Sequence, residues 1–213
     1  LQNSVFSVKR KKGGELQELL SKGSNGKDVQ HEALMYLEID RCANVGELRT
    51  LEKALLEVLA EATNVIAEGE VMQLMNMHDA SLDESGYLRV IRSKTAKLFE
   101  ASARLGAVLA GSPADVEDAC ATYGQALGTA FQIIDDVLDY DGDATELGKN
   151  LGDDLREGKV TLPLIVAMQR GTESQRETIR LAIEQGATDA LDSIILIVKQ
   201  TGALEATRAA LHG

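Results

Sequence analysis

Apolar residues recur three and four positions apart along much of this chain, which is the period of an amphipathic helix. The repeat is clear in three stretches, and we expect the apolar residues of each to lie in the core. They are Leu51, Leu55, Leu56, Leu59, Ala62, Val65 and Ile66, then Ala101, Leu105, Val108 and Leu109, then Leu127, Ala130, Ile134, Val137 and Leu138.

The composition supports a fold made of helices alone. The 213 residues include two prolines, and aromatic residues make up only 3% of the chain. Residues that favour helices, such as Ala, Leu, Glu and Lys, dominate. No stretch between Leu51 and Gly213 resembles an interdomain linker. We therefore predict an all-α domain in which residues 125–140 form one continuous helix, and in which Thr161 caps a helix that has Pro163 near its start.

Three aspartates, Asp135, Asp136 and Asp139, follow the third apolar stretch within five residues. Such crowding is costly unless a cation neutralises the carboxylates. On a helix, Asp135 and Asp139 lie one turn apart, Gln132 lies a turn earlier on the same face, and Asp136 is about 100° away. Mg²⁺ binds through one or two carboxylates and leaves its other positions to water or phosphate. The spacing predicts a Mg²⁺ site, although a single acidic cluster is more often a solvated surface.

Lysines flank this acidic segment in the sequence. Lys149 and Lys159 lie ten residues apart in a glycine-containing stretch downstream, and Lys94 precedes Thr95 on a predicted helix upstream. Ammonium groups beside a metal-loaded carboxylate cluster are suited to binding a diphosphate. The acidic segment together with the flanking lysines indicates a diphosphate site more strongly than either feature does alone.

With these motifs, the chain resembles the trans-prenyltransferases, or polyprenyl diphosphate synthases, from about Leu51 to its C-terminus. The bacterial long-chain synthases of the octaprenyl type look most similar. The resemblance is carried by residues 64–70, residues 94–96, the segment from Phe131 to Asp139, and residues 148–159. It implies an isoprenoid-synthase-type helical bundle that is incomplete at both ends, with residues 1–50 unassigned and residues 51–213 forming the synthase domain.

The resemblance also implies roles for individual residues and a reaction. Mg²⁺ would be held by the three aspartates, diphosphate would be contacted by the lysines, and the substrates would lie beside a threonine, a phenylalanine and a glutamine. The reaction would be the head-to-tail condensation of isopentenyl diphosphate with an allylic prenyl diphosphate, carried out by a homodimer. The residues in these roles are Asp135, Asp136 and Asp139, then Lys94, Lys149 and Lys159, then Thr95, Phe131 and Gln132.

The chain departs from the family pattern before residue 50. It has no first aspartate-rich motif there, and residues 9–14 match the expected Gly-Gly-Lys-Arg segment only in composition. Three explanations remain open: residues are missing from the sequence, the first 50 or so residues are foreign or frame-shifted sequence joined to a genuine synthase core, or the chain is a non-catalytic subunit. The intact second motif favours the first two explanations over the third. We expect a polypeptide of these 213 residues to show little or no synthase activity.

Charge and hydropathy exclude several other classes of protein. The net charge of −12 argues against a nucleic-acid partner, and no apolar run is long enough to span a membrane. Cys42 and Cys120 are isolated, which favours a cytoplasmic protein with reduced thiols. A calcium loop beginning at Asp139 is excluded, because its sixth position is not glycine and its twelfth, Asn150, is not glutamate. A helical interaction protein remains the alternative from another class, but it leaves the lysines without a role.

Overall fold

The computed structural model describes residues 45–141, 151–186 and 190–210, and these residues form helices connected by short turns. Lys149 and the other residues of 142–150 lie outside this description, as do residues 1–44. The helices are α1 (Val45–Met75), α2 (Glu84–Ile91), a π-helical segment (Arg92–Ala96), α3 (Lys97–Leu109), α4 (Ala114–Asp141), α5 (Asp153–Arg156), α6 (Leu162–Arg170), α7 (Glu173–Gln185), α8 (Leu191–Gln200) and α9 (Ala203–Ala209).

The predicted all-α fold is confirmed, since the described residues contain no strand. Residues 125–140 lie within the single helix α4, as expected. The helix α1 begins at Val45, so the predicted boundary at residue 50 falls inside it. The division of the chain into two segments at that residue therefore stays a prediction.

The main core is built around α6. Its residues from Leu162 to Ala167 are all buried, and the second half of α4 and helices α7, α8 and α9 contribute further buried residues around them. Each fully buried Leu, Ile or Val side chain contributes roughly 1.5–3 kcal/mol through the apolar surface removed from water. This core supports one wall of the cavity described below, because Tyr87, Ile91 and Val160 belong to the core and also line the cavity.

A second group of helices consists of α1, α3 and the first part of α4. The buried residues between α1 and α3 are few, namely Val58, Ala62 and Ala101. Polar contacts support the same interface: the ammonium of Lys97 lies 2.7 Å from Glu61 on α1 and 2.6 Å from Glu100 on α3.

Some residues predicted to lie in the core are exposed instead. Their side chains have the right helical spacing, but no described element covers the faces of α1 and α4 on which they lie. The prediction of burial is wrong for Leu56, Leu59, Leu127 and Ile134, which are 58%, 46%, 46% and 37% exposed.

Thr161 lies at the N-cap position of α6, with Pro163 in the first turn, as the sequence predicted. Its side chain makes no capping hydrogen bond, however, and its Oγ1 is buried without a hydrogen-bond partner among the described residues. Thr161 therefore ends the extended segment before α6 by its backbone conformation rather than through its hydroxyl group.

Candidate functional site

A cavity of about 210 Å³ lies between the end of α1, α2, the π-helical segment, the second half of α4 and the segment from α5 to α6. Its lining is unusually polar for a region beside the core, because carboxylates, lysines, amides and hydroxyls converge there. The lining residues are Gln73, Asn76, Leu82, Tyr87, Val90, Ile91, Lys94, Thr95, Gln132, Asp135, Asp136, Asp154, Lys159, Val160 and Thr161.

Two glycines allow the π-helical segment to approach its neighbours closely. A Cβ on Gly69 of α1 would lie 2.6 Å from the backbone nitrogen of Lys94, and a Cβ on Gly128 of α4 would lie 2.6 Å from Cα of Ala96. Such distances are far inside van der Waals contact, so only glycine fits at either position. The segment between them is wider than an α-helical turn, a feature often found at functional sites. It directs Lys94 and Thr95 into the lining of the cavity.

A chain of hydrogen bonds joins three of these elements at the cavity wall. Thr95 Oγ1 donates to Gln132 Oε1 at 2.9 Å, and Gln132 Nε2 donates to Asp136 Oδ1 at 2.7 Å. Tyr87 Oη donates to the other oxygen of Asp136 at 2.6 Å. Gln132 and Asp136 are four residues apart on α4 and therefore lie on the same face, one turn apart. Both carboxylate oxygens of Asp136 thus have a neutral donor.

Asp136 is buried in an environment that opposes its ionisation. It is only 2% exposed, and this burial raises its pKa from 3.8 to about 7, helped by the nearby carboxylates Asp154 and Asp135 and opposed by the two hydrogen bonds. Burial and the charge of Asp136 also raise the pKa of Tyr87. Such clustering of negative charge is the condition that a bound cation would relieve.

Asp139 has a different role from the other two aspartates of the motif. Its carboxylate accepts hydrogen bonds from the backbone N–H groups of Asp153 and Asp154, both at 3.2 Å. It thereby anchors the start of α5, and it is not among the residues that line the cavity. Burial and the charge of Asp154 raise its pKa to about 6.

Both described lysines of the predicted site line the cavity, and both are paired with acidic side chains. The Lys94 ammonium lies 2.7 Å from Glu70 and also donates to Gln73. The Lys159 ammonium lies 3.0 Å from Asp154 and 2.8 Å from Glu157. Hydrogen bonds to these two carboxylates raise the pKa of Lys159 against the opposing effect of its burial. Lys159 is therefore fully charged near neutral pH.

Phe131 is not among the residues that line the cavity. Its side chain is 57% exposed and packs at a tilted angle against Phe99, with the ring centroids 5.5 Å apart. The structure therefore brings six of the predicted site residues to one cavity, and Phe131 and Asp139 are not part of its lining. The six are Lys94, Lys159, Thr95, Gln132, Asp135 and Asp136.

Sequence reasoning missed Tyr87, Gln73 and Asp154 as members of the site. Tyr87 and Gln73 carry no local motif, and only the folded chain places them opposite α4. Asp154 could have been identified, because the pair Asp153-Asp154 lies five to six residues before Lys159 and could have been read as part of the same charged cluster.

The carboxylate oxygens in the cavity could hold a divalent cation whose remaining coordination positions are filled by a bound phosphate. Asp135, Asp136 and Asp154 line one cavity, which satisfies the one or two carboxylates that Mg²⁺ takes from proteins. Across residues 45–141, 151–186 and 190–210, no three acidic, histidine or cysteine side chains are already gathered as a complete metal-binding cluster. Phosphate oxygens would have to supply the remaining positions.

Comparison with known proteins identifies the family. A model described as Polyprenyl synthetase matches residues 32–198, well over half of the chain. The chain belongs to the polyprenyl synthetase family. The octaprenyl diphosphate synthase of Escherichia coli (strain K12) is 54% identical over 154 residues, which are 72% of this chain and 48% of that protein. The all-trans-nonaprenyl-diphosphate synthase (geranyl-diphosphate specific) of Rhodobacter capsulatus is 48% identical over 151 residues, which are 71% of this chain and 46% of that protein.

Solved structures of polyprenyl synthases share the fold. The polyprenyl synthase from Caulobacter crescentus CB15, complexed with calcium and isoprenyl diphosphate, is 42% identical with a TM-score of 0.72, and the match covers 78% of this chain and 52% of that one. A decaprenyl diphosphate synthase from Rhodobacter capsulatus is 37% identical with a TM-score of 0.70, and the match covers 92% of this chain and 64% of that one. The chain spans about half the length of the curated relatives that it matches.

The N-terminal residues resemble a different family. A model described as Glutamate dehydrogenase, ACT1 domain, matches residues 1–55 and overlaps the polyprenyl synthetase match from residue 32. The NAD-specific glutamate dehydrogenase of Pseudomonas aeruginosa is 62% identical over 73 residues, which are 34% of this chain and 4% of that protein. Among the helices of the described residues, none combines the length and the apolar character needed to cross a membrane.

Proposed function

We propose that this chain binds a prenyl diphosphate together with Mg²⁺ and contributes to the head-to-tail condensation of isopentenyl diphosphate with an allylic diphosphate. The observation that carries the proposal is the convergence of Lys94, Lys159, Asp135, Asp136 and Asp154 on one cavity. A diphosphate is an anion, and an acidic cavity accepts it only if cations bridge the charges. Two lysines and a divalent ion supply those cations.

The chain's own residues would bind and orient the substrate. Lys94 and Lys159 would release their present carboxylate partners and contact the diphosphate oxygens, while the hydrogen-bond chain through Thr95 and Gln132 would hold Asp136 in place. Mg²⁺, held by Asp135 and Asp136 with the predicted participation of Asp139, would stabilise the negative charge of the departing diphosphate. The apolar lining from Val90 and Ile91 would exclude water from the reacting carbon atoms.

The relatives support this chemistry. One structural neighbour is described with calcium and isoprenyl diphosphate bound, and two relatives are named for octaprenyl and nonaprenyl products. We infer from them that the product of the whole enzyme is a long-chain polyprenyl diphosphate. The match of residues 1–55 to another family favours the explanation in which the first part of the chain is foreign to the synthase core.

Calorimetric titration with isopentenyl thiolodiphosphate, an analogue that does not react readily, tests the proposal with and without Mg²⁺. We expect binding that requires Mg²⁺, and we expect Asp135→Ala to weaken it. Asp118→Ala is the matched control, because Asp118 is an exposed aspartate on the same helix and lies outside the cavity lining. Equal binding with and without Mg²⁺, or equal effects of the two substitutions, would contradict the proposal.

A synthase-like subunit that acts only with a second chain is the second candidate. It is favoured by the exposed apolar stripe on α4, whose members are spaced at helical intervals on one face. A homodimer, which the family resemblance implies, would also cover apolar surface of this kind. Light scattering would give the assembly state, and isopentenyl diphosphate incorporation that appears only after a second synthase is added would favour the subunit. The stripe consists of Tyr123, Leu127, Phe131 and Ile134.

The cytoplasmic location stays a prediction from cysteine usage. Cys120 is a free thiol in the structure, and Cys42 lies outside the described residues. Fractionation of cells that express the chain would test the location directly.

A further inference from the structure

His78 has a backbone conformation that side chains other than glycine seldom adopt. Its φ is +62°, and it is the one non-glycine residue with a positive φ among the residues the structure describes. This conformation costs an ordinary L-residue roughly 1–2 kcal/mol, although histidine is among the residues that tolerate it better. Contacts elsewhere must therefore stabilise it.

Two hydrogen bonds from His78 join three segments that are distant in sequence. Its backbone N–H donates to the carbonyl of Gly158 at 2.8 Å. Its ring Nδ1 lies 2.8 Å from the carbonyl oxygen of Ile183 near the end of α7. A carbonyl oxygen can only accept a hydrogen bond, so Nδ1 carries the proton and donates it. The turn after α1, the loop between α5 and α6, and α7 are thereby tied together.

The imidazole ring also takes the place that a side chain on Gly158 would occupy. A Cβ at Gly158 would lie 2.5 Å from Nε2 and 2.6 Å from Nδ1 of His78, and a Cβ at Gly186 would lie 3.2 Å from Cε1. Both glycines have positive φ, at +77° and +59°, so each accommodates the ring and supplies a conformation that other residues resist. The imidazole ring therefore packs directly against the backbone of Gly158 and Gly186.

This arrangement bears directly on the cavity. Gly158 precedes Lys159, and Asn76, two residues before His78, lines the same cavity as Lys159. We propose that His78 is a positioning residue that holds the Lys159 segment against the end of α1, so that the Lys159 ammonium faces the diphosphate. This proposal rests on the proposed function only for the identity of the ligand, since the connection between the segments is independent of it.

Two substitutions separate the side chain from the backbone conformation. His78→Gly keeps the positive φ without strain but removes the ring and its donor. His78→Asn also tolerates the positive φ, and its amide nitrogen can replace Nδ1 as donor to Ile183. We expect His78→Gly to weaken Mg²⁺-dependent binding of isopentenyl thiolodiphosphate about tenfold, from the loss of one well-placed hydrogen bond and its packing, and we expect His78→Asn to restore most of that affinity.

Hydrogen exchange of the full chain provides a readout that does not depend on the ligand. The amides of Gly158 and Lys159 donate to Leu155 and Asp154 at 3.0 and 2.9 Å, so they should be protected. His78→Gly should accelerate exchange in residues 155–161 and leave residues 101–107 of α3 unchanged, and His78→Asn should restore protection.

Each other outcome is decisive. Unchanged exchange at residues 155–161 in His78→Gly overturns the proposal, and so does acceleration throughout the chain, which would show a general structural role. Local acceleration with unchanged diphosphate affinity also overturns it, because the position of the Lys159 ammonium would then not depend on the hydrogen bonds of His78. If the unsubstituted chain binds no diphosphate, the proposed function fails, and the exchange result alone decides whether His78 positions the Lys159 segment.

Discussion

Gly69→Ala tests the close approach of α1 to the π-helical segment that carries Lys94. Gly69 is buried, and the added Cβ would lie 2.6 Å from the backbone nitrogen of Lys94 and 2.9 Å from both the carbonyl carbon and Cβ of Ser93. Backbone atoms cannot rotate away as the end of a flexible side chain can. The two elements must therefore separate by several tenths of an ångström, and the position of Lys94 must change with them.

The change in the free energy of unfolding caused by Gly69→Ala follows from two opposing effects. Alanine in place of glycine in a helix interior is favourable by about 1 kcal/mol, whereas forcing an extra methyl group into a packed interface costs about 1–3 kcal/mol. We expect the clash to dominate, because all three nearest atoms belong to the backbone or to Cβ. The net loss of unfolding free energy should be up to about 2 kcal/mol.

Gly106→Ala is the matched control for this substitution. Gly106 lies in α3, and a Cβ there would meet nothing within 4 Å. This substitution should therefore show the favourable effect alone and stabilise the chain by roughly 0.5–1 kcal/mol. Urea denaturation of both variants measures the difference. The reasoning would be refuted by a Gly69→Ala variant that is as stable as Gly106→Ala and binds diphosphate as the unsubstituted chain does.

Two further predictions concern the charges in the cavity. Lys159→Gln should weaken Mg²⁺-dependent diphosphate binding by roughly 10–100-fold, the usual value of a hydrogen bond to a charged group. Lys199→Gln is the control, because it removes an exposed lysine 3.8 Å from Asp141, and it should leave the affinity unchanged. Equal calorimetric affinities of the two variants would contradict the assignment. Because the pKa of Asp136 is raised from 3.8 to about 7, the folded chain binds a proton at this group more tightly than the unfolded chain does. The free energy of unfolding should therefore fall as the pH rises from about 4 to about 7, by at most about 1.4 kcal/mol per pH unit. Asp136→Asn should flatten the pH dependence of urea denaturation measured in the presence of EDTA, and an unchanged slope would show that Asp136 is not the group responsible.

The helical fold could be predicted from the sequence because helical periodicity is a local property. The continuous helix across residues 125–140 was confirmed for that reason. Burial depends on what lies opposite a helix face, which a local pattern does not contain. Leu56 and Leu127 have the spacing of core residues, but the described part of the chain provides no element to cover them.

The candidate site was predictable to the extent that its residues share a motif. Lys94, Thr95 and Gln132 lie in recognisable segments, and the structure brings them to one cavity. Tyr87 reaches Asp136 from 49 residues away, and no signal near Tyr87 marks that contact. The anchoring of α5 by Asp139 was equally hidden, because it depends on backbone N–H groups rather than on side-chain identity.

The hydrogen bonds from Thr95 through Gln132 to Asp136 share one donor-to-acceptor direction, because each residue donates to the next. This direction determines which atoms of Thr95 are available to a ligand. While Asp136 is ionised it can only accept, so the amide of Gln132 must turn its NH₂ group toward Asp136 and its oxygen toward Thr95. The hydroxyl hydrogen of Thr95 is then engaged, and only its lone pairs remain for a ligand. If Asp136 takes up a proton and donates it to Gln132, the amide must reverse, and Thr95 becomes an acceptor of the amide with its own hydrogen free. A proton gained at the buried carboxylate would thus convert the half-buried Thr95 hydroxyl of the cavity lining from a group that repels anionic oxygen into one that can bind it.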